Sequence, residues 1–84
     1  MNNNINSVLG LLVAIQERKD LLNVIQYLNG ELSISLNSIA EFLGISSSAL
    51  YLYCKGVKIP PKKEAFIWDS LSIKFLGATQ GGII

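Results

Sequence analysis

The chain has 84 residues, enough for one small domain around one hydrophobic core. Seven basic against six acidic side chains leave a formal charge of +1, so bulk charge alone argues for neither a nucleic acid nor an anionic membrane surface. Half of the residues are hydrophobic, more than so small a globule readily hides, and the surplus predicts a second buried surface, most simply a homodimer interface.

Residues 1–4 are polar and are expected to fray. From Ile5 the positions Ile5, Val8, Leu9, Leu12 and Ile15 recur at three- and four-residue steps, which predicts an amphipathic helix in an N-terminal extension over residues 1–18. The longest apolar run, Val8 to Ile15, is eight residues counting Gly10, against the roughly twenty that span a bilayer. The Asn2-Asn3-Asn4 start lacks the positive charge of a signal peptide, and Glu17-Arg18-Lys19-Asp20 follows without a cleavage pattern. A cytoplasmic protein with no membrane partner is the expectation. Leu21, Leu22, Val24, Ile25 and Leu28 form a second periodic set that stops at Asn29-Gly30, and the two apolar faces do not superpose, which places a joint near residue 19.

Glu31 to Ile34 reads as an extended connection that buries Leu32 and Ile34. Ser35 then caps a helix from Leu36 to Leu43 that ends at Gly44, and Ser46 caps another over 47–55, closed by Gly56. Within it, Tyr53 is expected in the core and Tyr51 outside. Cys54, the sole cysteine, is expected to be half-buried, with Lys55 lowering its pKa slightly. Pro60-Pro61 opens the last helix, whose apolar positions are Ala65, Ile67, Trp68, Leu71 and Phe75, with Trp68 a core or interface aromatic. Gly77, Gly81 and Gly82 mark a loose tail over 78–84. The prediction is an all-α fold: one small domain over 1–84, of about five helices.

The stretch 35–60 carries the functional signal. Ile39 and Leu43 face a core, Ala40 is small where two helices cross, Gly44 supplies the positive φ of a sharp turn, and Ile45 plugs the corner. Leu50, five residues on, anchors the second helix. Together these offsets specify a helix-turn-helix, although any one of them is a weak signal. The segment Ser35 to Pro60 resembles the Cro/C1-type phage-repressor domain through its cap serine, the Ile39-Ala40 pair, Leu43-Gly44-Ile45-Ser46 and the step Gly56-Val57-Lys58-Ile59-Pro60. The likeness extends loosely over Leu21 to Gly30 and residues 61–77, and residues 1–18 fall outside it. Ala49-Leu50-Tyr51, Tyr53 and Lys55 also resemble the DNA-binding end of tetracycline-repressor-type regulators, which need a large ligand domain for which this chain has no room.

The Cro/C1 resemblance implies double-stranded DNA as the partner, a homodimer, and a second motif helix lying in the major groove. Carried over, the base readers would be Ser47, Ser48, Ala49, Tyr51 and Leu52. Ser46 would cap the helix and reach a phosphate, Lys55 and Lys58 would touch the backbone, and Lys62 and Lys63 would add weaker contacts. Those four lysines make up most of the chain's basic residues and meet no acid until Glu64. The sequence departs from the pattern in one respect: no Arg, Lys, Asn or Gln, the usual bidentate readers, occurs between Ser46 and Cys54. A Ser, Tyr and Leu face is also what a protein-binding surface carries, so the alternative is an antirepressor or inhibitor that meets a protein through the same helices. An enzyme is not expected. The acids Glu17, Asp20, Glu31, Glu41, Glu64 and Asp69 are scattered, histidine is absent, no Gly-rich phosphate loop occurs, and nothing calls for a metal or cofactor.

Overall fold

The computed structural model describes residues 5–77. Five helices follow one another: α1 (Val8–Glu17), α2 (Leu21–Gly30), α3 (Leu36–Leu43), α4 (Ser47–Cys54) and α5 (Pro61–Leu76), with no strand among the described residues. The all-α class and the helix count agree with the sequence. The expected fraying of residues 1–4 and the tail over 78–84 lie outside the described residues.

Three helices begin at a serine whose side chain takes an otherwise orphaned backbone donor. Ser7 Oγ accepts the Gly10 N–H at 3.0 Å, Ser35 Oγ accepts Ser38 N–H at 3.1 Å, and Ser46 Oγ accepts Ala49 N–H at 3.0 Å. At α5 Pro61 occupies the first turn, where its missing N–H costs no hydrogen bond.

The α1–α2 joint falls where the broken periodicity placed it, but it uses no glycine. Arg18 and Asp20 both adopt left-handed backbone, φ 55° and 56°. Lys19 N–H reaches back to the Ala14 carbonyl at 3.1 Å and so closes the end of α1 as a glycine would. Arg18 then ties α1 to α5 through Asp69, Nη2 to Oδ1 2.6 Å. Both side chains face solvent, so the pair adds only ~0–1 kcal/mol.

All five helices contribute to one core. Leu11 and Ile15 come from α1, Val24, Ile25 and Leu28 from α2, Ile39 and Leu43 from α3, Leu50 and Tyr53 from α4, and Ile67, Trp68 and Leu71 from α5. No polar or charged residue is buried among the described residues. α5 packs on α1 and α3, while α3 packs directly on α4. Phe75 lies half-buried, edge-on to Phe42 at 6.0 Å.

Three sequence expectations need correction. In α1 the buried stripe is Leu11 and Ile15. Val8 and Leu9 are exposed, and Leu12 is only half-buried. The helix is apolar almost all round, so periodicity could not choose which face turns inward. Leu32 is exposed rather than buried, because Ser33 has φ 56° and breaks the alternation of an extended strand. Ala65 points to solvent and leaves the α5 stripe to its bulkier neighbours.

The turn between α3 and α4 is Gly44-Ile45-Ser46. Gly44 has φ 78°, its N–H donates to Glu41, and Ile45 N–H donates to Ala40 at 3.0 Å. A Cβ on Gly44 would sit 2.9 Å from Phe66 Cε2, a ring tip exposed enough to swing aside. Gly44→Ala is therefore expected to cost roughly 1–2 kcal/mol, mainly the left-handed penalty of a side chain. Urea unfolding with an unchanged m-value checks this.

Candidate nucleic-acid interface

Helix α4 divides along its length. Leu50 and Tyr53 turn inward, and Ser48, Tyr51, Leu52 and Lys55, spaced three and four residues apart, share the outward face. Tyr51 and Leu52 are about half exposed, at 53% and 47%. Ser47 stands at the edge of that face. Of the candidate readers only Ala49 is misplaced, half-buried against the core. Ser46 already accepts its capping hydrogen bond, which leaves its hydroxyl proton free to donate.

Lys55 follows the last residue of α4 and folds back over Tyr51. Its Nζ lies 4.9 Å from the ring centroid and donates to the phenolic oxygen at 3.4 Å. That contact parks the cation beside the outward face without neutralising it. The helix closes just beyond, where Gly56, at φ 108°, allows Val57 N–H to reach the Leu52 carbonyl at 3.0 Å.

The four lysines that are neighbours in sequence separate in space. Lys58 borders a hollow with Asp20, Leu21 and Glu64, on the side of α2. Lys62 and Lys63 border another with Gly44 and Phe66, beside the turn that leads into α4. Cations therefore stand near both ends of α4, Lys55 at one and the Lys62–Lys63 pair at the other. Lys58 is set apart with acids for company.

A further residue enters the site that the sequence reading passed over. Asn37, exposed in the first turn of α3, lines a shallow depression of about 310 Å³ with Leu36, Ser47, Ser48 and Tyr51. Its sequence distance from α4 hid it; only the α3–α4 crossing brings an amide beside the two serines.

Cys54 is half-buried as expected, but its pKa moves the other way from the expectation. Burial pushes the thiol above its ordinary 9.0, while the Lys55 ammonium lies over Tyr51. Iodoacetamide is expected to label native Cys54 more slowly than the unfolded chain at the same pH. The rate should rise with pH through a midpoint above that ordinary value.

No grouping of three or more potential metal ligands exists among the described residues, and none of the described helices is long and apolar enough to cross a membrane. Neither a family model, a curated protein nor a solved structure matches the chain.

Proposed function

We propose that the chain is a sequence-specific transcriptional regulator of the phage or mobile-element repressor type, a cytoplasmic dimer that sets α4 in the major groove of operator DNA. The observation that supports this most is the outward face of α4, held by the Gly44 turn and bracketed by Lys55 and the Lys62–Lys63 pair. No carboxylate occurs between Glu41 and Glu64, so nothing on α4 or its flanking turns repels a phosphate. α4 with its side chains is about 10–12 Å across, a diameter that the ~12 Å major groove admits. Cations near its two ends, Lys55 and the Lys62–Lys63 pair, would supply the phosphate contacts beside the groove.

The dimer reading draws on α1. Leu9 and Val13 point away from the core, at 71% and 44% exposure. That face carries no charge between Val8 and Gln16. Two copies meeting there would bury no unpaired ion.

Fluorescence anisotropy of labelled duplex from upstream of the protein's own gene tests the proposal. Binding is expected to weaken steeply with salt, with a log–log slope of about −0.9 per phosphate neutralised. Absence of tight binding at low salt would sink it. The second reading is a protein-binding regulator, an antirepressor or inhibitor. It is favoured by the exposed Tyr51 and Leu52, residue types that suit a protein contact as well as a base edge.

A further inference from the structure

We infer that the operator is read through thymine methyl groups, and that the single amide on the reading surface comes from Asn37 of α3 rather than from α4. This rests on α4 reading DNA, as proposed above, and specifies what it reads.

From Ser46 to Cys54 no side chain can form the two-pronged hydrogen bonds that usually distinguish bases. Serine hydroxyls both donate and accept, so Ser47 and Ser48 bond to several bases and discriminate little. The helix presents apolar surface instead. Leu52 and Tyr51 stand half exposed on its outward face. In the major groove the apolar feature of the base edges is the C5 methyl of thymine.

Asn37 completes the selection. The hydrogen bonds at the start of α3 are made by Ser35 and Ser38, at 3.0 and 3.1 Å, and do not engage the Asn37 amide. Asn37 lines the depression shared with Ser47, Ser48 and Tyr51. An asparagine amide matches the N6 and N7 positions of adenine. An A·T pair offers the adenine fork and the thymine methyl together. The amide and the apolar face therefore favour the same type of base pair, although they stand on different helices.

The test uses the full chain to enrich sites from a random duplex library. The enriched site is then remade with single thymines replaced by deoxyuridine, which removes only the methyl group. A·T-rich half-sites are expected, with binding about fourfold weaker for each thymine that faces α4, the equivalent of losing one methyl-sized contact. Leu52→Ala should abolish that sensitivity at one position. Asn37→Ala should relax the preference at one A·T pair and leave the unfolding midpoint unchanged. A G·C-rich site, or thymines replaced without loss, would overturn this inference while leaving DNA binding intact. If no duplex is enriched, the function reading falls with it and a protein partner takes its place.

Discussion

Replacing Leu50 with alanine is expected to bring the protein close to global unfolding. The side chain is fully buried, and with Tyr53 it is what fastens the eight residues of α4 to the core. Truncating such a leucine costs ~2–5 kcal/mol, through lost transfer energy and the cavity left behind. A chain of 84 residues has only about 4–13 kcal/mol to lose. In a domain of this size each kcal/mol lowers Tm by roughly 4–8 °C, so a fall of at least ~8 °C is expected in a circular-dichroism melt. Leu50→Met, which keeps volume and hydrophobicity, should recover most of the loss. Leu52→Ala, two residues along and half exposed, should leave Tm nearly unchanged. Equal effects of the two alanine variants would mean that α4 does not dock on the face described.

Reversing Lys55 and Lys58 together, Lys55→Glu with Lys58→Glu, is expected to weaken operator binding at least about tenfold, chiefly because the phosphate attraction of Lys55 becomes a repulsion. Both side chains are exposed, so the fold should survive and its melting curve serves as the control. The single variants should not be equal. Lys55 stands at the outward face of α4 over Tyr51, whereas Lys58 borders a hollow that contains Asp20 and Glu64. Lys55→Glu should therefore account for most of the loss and flatten the salt dependence by about 0.9 in log–log slope. Repression retained after the double reversal would shift support to a protein partner, since an apolar contact through Tyr51 and Leu52 does not need these cations.

Much of the fold was legible because its signals are local. A serine cap, a glycine at positive φ and a buried leucine at fixed offset act over a few residues of backbone, and 35–60 carries all three. The joint near residue 19 was legible from the mismatch of two apolar faces. Its device was not, since left-handed Arg18 and Asp20 leave no glycine to mark it. In α1 the inward face was not legible either, because Leu9 and Leu11 are alike in the sequence and only packing against the rest of the core separates them.

The sequence by itself determined the all-α class and its local make-up: five helices, a sharp Gly44 turn between α3 and α4, Leu50 and Tyr53 inside, and Tyr51 outside. These follow from hydrogen bonds and periodicities that span no more than a helix. Tertiary structure alone decided the make-up of the site. It drew Asn37 beside Ser47 and Ser48, turned Ala49 toward the core, and split one run of lysines among three places. Such neighbours depend on how α3 crosses α4 and where α5 packs. Those choices are made by burying apolar surface from all five helices at once, a sum that no local window of the chain contains.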